Sequence, residues 1–216
     1  MVKVISFDVD GTLVDQEYND MVWLGEVPRL YARERGIDYD RAYEYVKGEF
    51  DRVGQYDLRW YDLNYWLKLF SLPFTSEEIL EKFAHTLRVY PDAEKALALL
   101  SGYEIIIITS MPRDFLNVKM KKLNGSFSNV FSTVSDFRSV KTPSLYSMIC
   151  RQLGRPEEEV LHVGDLWDVD YLAPKEAGMH ALCIDRGRER AGEGVIRSLE
   201  EIPRRLELLE NINARP

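Results

Sequence analysis

Cysteine is scarce in this 216-residue chain, which contains only Cys150 and Cys183. Each lies in an apolar stretch, so we expect two buried free thiols rather than a disulfide, as is usual in a reducing compartment. No apolar run approaches the roughly 20 residues that a membrane-spanning helix needs. Charged Lys3 and Asp8 interrupt the first residues, so we also expect no secretory signal peptide. These features predict a cytoplasmic location without membrane contact.

Basic residues are also fewer than acidic residues. Lys and Arg number 28 against 36 Asp and Glu, which gives a formal net charge of -8. General nucleic-acid binders carry a basic surface, so the composition argues against nucleic acid as a partner. It does not exclude a phosphate ligand, because a bound metal ion can reverse the field at one site. Hydrophobic residues make up 45% and charged residues 30%, which is typical of a globular protein with a sizeable core.

The chain opens on an apolar run that ends in two carboxylates. Val4 to Phe7 are strand formers, typical of a strand that is covered on both faces. Asp8 and Asp10 follow, and in extended chain two such residues project to the same side. Like charges this close need a cation or a shared proton between them. Because Mg²⁺ prefers oxygen ligands, the motif predicts a magnesium site, with an exposed Asp-Gly turn as the alternative.

Residues 16–90 differ in character from the rest of the chain. They are aromatic and charged, with apolar residues at helical spacing. Gly36 and Gly54 mark helix ends, and Thr75 to Glu78 form a capping box. The pattern predicts four helices, the third of them over residues 58–70. We interpret them as one small helical domain inserted after the first strand.

From residue 91 onward, apolar strands alternate with helices. The predicted strands span residues 103–109, 130–134, 160–163 and 180–184. Such alternation is typical of a parallel sheet with helices on both faces. We therefore predict an α/β fold, with a Rossmann-like doubly wound parallel sheet core formed by residues 1–15 and 91–216. Residues 16–90 would form an inserted α-helical cap domain.

Polar residues follow the predicted core strands. Open α/β sheets bind ligands beyond the carboxyl ends of their strands, so we expect these residues to converge. They are Asp8, Asp10, Thr109, Ser110, Lys141, Asp165, Asp168 and Asp170. One carboxylate can attack phosphorus, and a second can exchange a proton with the leaving oxygen. Hydroxyl and ammonium groups can hold the phosphoryl oxygens. The set therefore predicts phosphoryl transfer.

The same residues resemble the four ordered motifs of the haloacid dehalogenase-like (HAD) superfamily. The motifs are Asp8-Val9-Asp10-Gly11-Thr12, Thr109 after a hydrophobic strand, Lys141, and Gly164 to Asp170. Residues 165–179 are especially similar to the phosphatase branch, and the inserted helices look like its C1-type cap. The resemblance implies a Rossmann-like core and Mg²⁺-dependent phosphoryl transfer through an aspartyl-phosphate.

The resemblance also implies a role for each acid at the start of the reaction. Asp8 would be the nucleophile and Asp10 the general acid/base. The Asp8 carboxylate, the backbone carbonyl of Asp10 and the Asp165 carboxylate would bind Mg²⁺.

The remaining site residues would handle the phosphoryl group. Thr109 and Ser110 would bind it, and Lys141 would stabilise its charge. Asp170 would hold Lys141 or a metal-bound water. His162 lies in the middle of a predicted strand, so a packed core histidine is the interpretation that we favour for it.

We interpret the chain as a Mg²⁺-dependent phosphatase of a small phosphorylated metabolite. A phosphomutase resembling β-phosphoglucomutase would use the same residues. A 2-haloacid dehalogenase would lack the second aspartate, so Asp10 argues against it, and a non-catalytic phosphate-binding protein would not need a nucleophile beside a base. Substrate selectivity would come from the inserted helices, which should place polar residues, with Arg59 and Asn64 among the candidates, over the phosphoryl site when they close. The oligomeric state stays open.

Overall fold

The computed structural model describes residues 1–123 and 125–213, the last four of them by backbone only. At its centre lies one sheet of six parallel strands. The strands are β1 (Val4–Phe7), β2 (Glu104–Thr109), β3 (Asn129–Ser132), β4 (Val160–Gly164), β5 (His180–Ile184) and β6 (Val195–Ile196). Their order is β3-β2-β1-β4-β5-β6. The polar residues after β1 therefore lie between those after β2 and those after β4.

Helices fill the long connection between β1 and β2. They are α1 (Glu17–Asp20), a π-helix (Met21–Glu26), α2 (Val27–Arg35), α3 (Tyr39–Val53), α4 (Leu63–Leu69), α5 (Ser76–Phe83) and α6 (Pro91–Leu99), with 3-10 helices at Leu58–Tyr61 and Ala84–Thr86. Gly36 and Gly54 end α2 and α3, and Thr75 forms the capping box of α5, as predicted. Asp38, which was not predicted as a cap, begins α3 by accepting a hydrogen bond from the Arg41 N–H at 3.0 Å.

After β2, helices alternate with strands. They are α7 (Arg113–Met120), α8 (Thr133–Asp136), α9 (Pro143–Leu153), a π-helix (Trp167–Leu172), α10 (Ala173–Glu176) and α11 (Ile202–Asn213), with 3-10 helices at Glu157–Glu159 and Leu199–Glu201. The prediction of an α/β fold with a doubly wound parallel sheet is confirmed. Parallel pairing suits β1 because all four of its residues are buried.

Three local predictions differ from the structure. The helix predicted near residues 58–70 is divided, because the Asp62 side chain accepts from the Tyr65 N–H at 3.0 Å and caps a new helix there. The strand predicted to reach Val134 ends at Ser132, whose hydroxyl caps α8. Strand β6 was not predicted, because two residues carry no alternation that could reveal a strand.

The two ends of the long β1–β2 connection lie side by side. The Asp15 N–H donates to the Arg88 carbonyl at 3.1 Å, and the Tyr90 N–H donates to the Leu13 carbonyl at 2.9 Å. Between the two, Val14 forms an antiparallel bridge with Val89. The connection therefore leaves the sheet and returns to it at one point.

The inserted helices pack on the sheet end where β1 and β2 finish. Helix α5 contacts α7. Trp23, from the first π-helix, stacks on Phe115 of α7 with ring centroids 5.4 Å apart and planes 7° apart. One hydrophobic cluster continues from Phe7 in the sheet to Trp66 in α4. The insertion thus covers the carboxyl ends of the central strands.

Two features considered from composition, the cysteines and the apolar runs, can be compared with the structure. Cys150 and Cys183 are both free and buried, as expected. Within residues 1–123 and 125–213, no helix has the length and apolar character needed to cross a membrane.

Candidate active site

Lys141 lies buried between two carboxylates at the end of the sheet. Its Nζ donates to Asp8 Oδ1 at 2.6 Å and to Asp170 Oδ1 at 2.5 Å. Burial alone would lower the pKa of Lys141, but the carboxylates of Asp170 and Asp8 raise it well above its usual value. The ammonium group is therefore held charged beside Asp8.

Three carboxylates converge around this lysine. Oxygens of Asp8, Asp165 and Asp170 all lie within 4.8 Å of one another. Burial raises the pKa of Asp8 to about 6, despite the opposing effect of Lys141. Burial and the charges of Asp8 and Asp170 raise the pKa of Asp165 to about 8. This crowding of oxygens is the arrangement that a divalent cation would relieve.

Gly11 allows Asp165 to come this close to the β1 loop. Its φ of +69° lies in the left-handed region, which favours glycine. A Cβ at this position would also lie 2.2 Å from Asp165 Oδ2. Gly11 in the first motif therefore leaves the space that Asp165 of the last motif needs beside the β1 loop.

Asp170 is fully engaged by its neighbours. Its Oδ1 accepts from Lys141 and lies 3.2 Å from His162 Nε2, and its Oδ2 accepts from the Leu166 N–H at 3.1 Å. Although burial opposes its ionisation, Lys141 and His162 hold the pKa of Asp170 well below its usual range. A Cβ on Gly164 would lie 2.4 Å from the Asp170 Cγ, so this approach also needs a glycine.

His162 continues the same chain of hydrogen bonds into the sheet. It is fully buried, as expected of a core histidine, but it also contacts Asp170. Burial lowers the pKa of His162, so the ring is neutral. With Nε2–H donating to Asp170, Nδ1 accepts from the Ser6 hydroxyl at 2.5 Å. Ser6 and His162 thus support the side chain that holds Lys141.

Asp10 is held by two residues that the sequence did not reveal. Asn19 Nδ2 donates to Asp10 Oδ2 at 2.6 Å, and Lys119 Nζ donates to Asp10 Oδ1. One signal was available: Lys119 lies four residues after Phe115 and three after Leu116, on the apolar stripe of a predicted helix. A charged residue at such a position is seldom buried without a partner.

Thr109 and Ser110 lie beside the acids, at the end of β2. Thr109 Oγ1 accepts from the Met111 N–H at 3.3 Å, and the Thr133 hydroxyl donates to Ser110 Oγ at 3.3 Å. Tyr61, from the insertion, reaches the same region. Burial raises the pKa of its hydroxyl, and the nearby Lys141 and Ser110 partly counter this effect.

A cavity of about 480 Å³ lies between these groups and the inserted helices. Asp8, Asp10, Thr109, Ser110, Lys141 and Asp165 line its sheet side. Five aromatic residues of the insertion line the opposite wall, together with polar side chains such as Asn19 and Lys47. The aromatic residues are Trp23, Phe50, Tyr56, Trp60 and Tyr61. The structure therefore brings the six predicted residues on the sheet side to one cavity. Asp170 lies buried behind it, against Lys141, whereas Asp168 is exposed and does not line the cavity.

Neither of the two candidates from the insertion, Arg59 and Asn64, lines this cavity. Arg59 is occupied by Asp57, with Nη2 and Oδ2 2.6 Å apart at the surface. Asn64 donates to Ser76 Oγ at 3.0 Å within the insertion. Helix periodicity could not show that Trp60 and Tyr61, rather than Arg59, line the cavity.

A family model for haloacid dehalogenase-like hydrolases matches residues 2–178. The chain belongs to the haloacid dehalogenase-like hydrolases. The match includes all four motifs and the insertion between them, so the predicted membership is confirmed.

Relatives of this HAD-like hydrolase include named phosphatases. The glyceraldehyde 3-phosphate phosphatase of Pyrococcus furiosus is 30% identical, and the match covers 98% of this chain and 95% of the relative. The GMP/IMP nucleotidase of Escherichia coli K12 is 26% identical over 76% of this chain and 74% of its own. The prediction of an enzyme, a hydrolase of the phosphatase type, is confirmed.

Solved structures agree on the HAD fold. A HAD phosphatase from Thermococcus onnurineus is 32% identical and superposes with a TM-score of 0.84, covering 95% of this chain and 98% of that one. A 2-haloacid dehalogenase from Pseudomonas syringae superposes with a TM-score of 0.67 at 19% identity, over 97% of this chain and 100% of that one. The second likeness concerns the fold alone.

Proposed function

We propose that this hydrolase is a Mg²⁺-dependent phosphatase that removes the phosphoryl group from a small phosphorylated metabolite. The observation that carries the proposal is the buried contact between Asp8 and Lys141, with Asp165 close by at the end of β1. A pure binding site would not need a carboxylate nucleophile beside a second acid. The free, buried cysteines support a cytoplasmic location.

The chemistry would proceed in two steps. In the first, an Asp8 carboxylate oxygen attacks phosphorus and the bond to the ester oxygen breaks, while Asp10, protonated at this stage, gives its proton to that oxygen. In the second, Asp10 takes a proton from water, the water oxygen attacks phosphorus, and the bond to Asp8 breaks. Inorganic phosphate leaves and both acids return to their starting state.

Thr109, Ser110 and Lys141 would hold the phosphoryl oxygens during both steps. They lie together on the sheet side of the cavity. The Lys141 ammonium is fixed by Asp170, so it needs no reorganisation when charge develops on those oxygens. Removal of this group is expected to have a large effect, which is considered below.

The acids that surround Lys141 fit a Mg²⁺ ion. The carboxylates of Asp8 and Asp165 and the main-chain carbonyl of Asp10 would hold it, whereas the oxygens of Asp170 are already used. Bound there, Mg²⁺ would lower the repulsion between nucleophile and phosphate.

Mg²⁺ is expected to stabilise the wild-type protein but not Asp165→Asn. At a concentration 100-fold above its Kd, a ligand adds about 2.7 kcal/mol to the free energy of unfolding. For a chain of this size that corresponds to a Tm increase of about 5–10 °C. Thermal unfolding with and without Mg²⁺ measures the effect, with exposed Glu158→Gln as a control that should respond like wild type.

Activity provides the second readout for the metal. EDTA should abolish phosphate release from para-nitrophenyl phosphate, and Mg²⁺ should restore it. Ca²⁺ should substitute poorly, because it prefers more ligands at longer distances. Full activity after exhaustive chelation would contradict metal dependence.

The named relatives and the cavity support a small organic phosphate as the substrate. The relatives are named for glyceraldehyde 3-phosphate and for GMP and IMP. The aromatic wall formed by Trp23, Phe50, Tyr56, Trp60 and Tyr61 would contact the part of the substrate beyond the phosphoryl group. A panel of phosphate esters, run with release of inorganic phosphate as the readout, tests the proposal. Transfer to a sugar hydroxyl instead of water would favour the phosphomutase alternative.

We also propose that residues 16–90 act as a cap domain over a core of residues 1–15 and 91–216. The adjacent connections at Val14 and Val89 would let it open and close as a lid. Mg²⁺ with a phosphate mimic should favour the closed arrangement, measured as a decrease in the radius of gyration in solution scattering. An unchanged radius would contradict closure.

Tyr61→Ala is expected to change substrate preference, whereas Arg59→Ala is not. Both residues belong to the same 3-10 helix, but only Tyr61 lines the cavity. Loss of the ring should change the ratio of kcat/KM between two substrates of different size by about tenfold. Steady-state kinetics on a nucleotide and a three-carbon phosphate measures this ratio. Equal ratios in wild type and Tyr61→Ala would show that Tyr61 makes no selective contact.

A further inference from the structure

Asp10 is held on both carboxylate oxygens by side chains from distant parts of the chain. Asn19 Nδ2 in α1 donates to Oδ2 at 2.6 Å, and Lys119 Nζ in α7 donates to Oδ1. Lys119 Nζ also donates to Asn19 Oδ1 at 2.8 Å. The three side chains therefore close a ring of hydrogen bonds, with one member from the insertion and two from the sheet side.

Lys119 is an unusual residue for this place in the fold. Its side chain has no exposed surface, and the ring of Tyr18 lies 5.3 Å from its ammonium nitrogen. Tyr18 is itself fully buried, so water is excluded from this side. A buried ammonium is costly unless it is paired with an opposite charge, and here the paired carboxylate is that of Asp10.

The cavity lies on the other side of Asp10. The Asp10 side chain is 23% exposed. Both Asp10 and Asn19 line the cavity. Each carboxylate oxygen has two lone pairs. One donor on each oxygen fixes the plane of the carboxyl group and leaves a second lone pair on each, which can hold the proton given to an ester oxygen or accept one from a water.

We propose that Lys119, together with Asn19, is a positioning residue that fixes the Asp10 carboxyl group for proton exchange with the leaving group. This inference rests on the proposed phosphatase function. Lys119 does not line the cavity, so it would not touch the substrate and acts through Asp10. Because Asn19 belongs to the inserted segment, the ring also makes the orientation of the acid depend on that segment being docked on α7.

A purely structural ion pair, tying α7 to the β1 loop, is the competing interpretation. Its loss would lower the stability of the fold or reduce turnover of every substrate to the same extent. Loss of a positioned acid has a different signature. An ester with a good leaving group hardly needs the proton, whereas one with a poor leaving group depends on it.

The experiment compares wild type with Lys119→Met on a series of aryl phosphates of nearly equal size, from para-nitrophenyl phosphate to phenyl phosphate. The quantity measured is kcat/KM, which reports steps up to formation of the aspartyl-phosphate and so omits the later attack by water. General acid catalysis contributes about 10²–10⁴-fold. We expect kcat/KM to fall at least about 30-fold for phenyl phosphate and less than about threefold for para-nitrophenyl phosphate.

Two further variants make the result decisive. Lys121→Met removes an exposed lysine that pairs with Glu81 at 2.6 Å, and it should leave both substrates unaffected. Asn19→Ala should shift the series in the same direction as Lys119→Met by a smaller factor, and it decides the question if Lys119→Met does not fold. An unchanged dependence on the leaving group, or an equal loss on all the esters, overturns the inference.

Failure of this inference differs from failure of the proposed function. If the wild-type protein with Mg²⁺ releases phosphate from none of the esters, the proposed function is wrong. If the wild type is active and Lys119→Met keeps its leaving-group dependence, only the role of Lys119 is wrong.

Discussion

Asp8→Asn is expected to abolish turnover while the protein stays folded. Asparagine keeps the shape of the side chain but cannot attack phosphorus, so kcat should fall by at least about 10⁴-fold. Lys141 would still be paired with Asp170 at 2.5 Å, so the Tm should change by only a few degrees. Release of phosphate and thermal unfolding measure the two effects.

A trapping experiment makes the role of Asp8 specific. Acid quenching during turnover of a ³²P-labelled ester should leave label on the wild-type protein and none on Asp8→Asn. Glu158→Gln, an exposed acid, should be labelled like wild type. Substantial turnover by Asp8→Asn, purified away from any host phosphatase, would remove Asp8 as the nucleophile.

Lys141→Met is expected to reduce both stability and activity. The substitution leaves Asp8 and Asp170 buried with no positive charge between them. Breaking a buried ion pair from one side costs about 3–5 kcal/mol, which chemical denaturation would measure as a lower free energy of unfolding. Loss of the charge beside the phosphoryl group should lower kcat by about 10²–10³-fold.

A double-mutant cycle separates these effects of Lys141. In Asp8→Asn/Lys141→Met one of the two unpaired carboxylates is gone, so the loss of stability should be smaller than the sum of the single losses. Lys121→Met is again the control and should leave stability nearly unchanged. A Lys141→Met protein as stable as wild type would show that the ion pair is not needed to hold the three acids together.

The strands and the site at their ends could be predicted because local sequence determines them. The Ile105 to Ile108 run is long and apolar, and Thr109 and Ser110 follow it directly. The motif with Asp8 and Asp10 likewise follows the residues of β1 directly in sequence, so it must lie at the end of that strand. Parallel pairing then brings these residues together whatever the rest of the chain does.

The inserted side of the cavity could not be predicted in the same way. Whether Tyr61 or Arg59 lines the cavity depends on how the 3-10 helix at Leu58–Tyr61 packs against α3 and α4, which is a matter of tertiary structure. Asn19 and Lys119 are 100 residues apart in sequence, and no local pattern relates them. The π-helices, such as the one beginning at Met21, keep apolar residues at nearly helical spacing, so periodicity does not separate them from α-helices.

The side-by-side ends of the insertion have a consequence for how such a protein can diversify. Because Asp15 and Arg88 are hydrogen-bonded neighbours, the segment between them can change in length without altering the spacing that the sheet requires. The entropy of closing a loop grows only with the logarithm of its length. Exchange of this one continuous segment could therefore change the side of the cavity that contacts the leaving group. The residues after β1 and β4 that would transfer the phosphoryl group would stay the same.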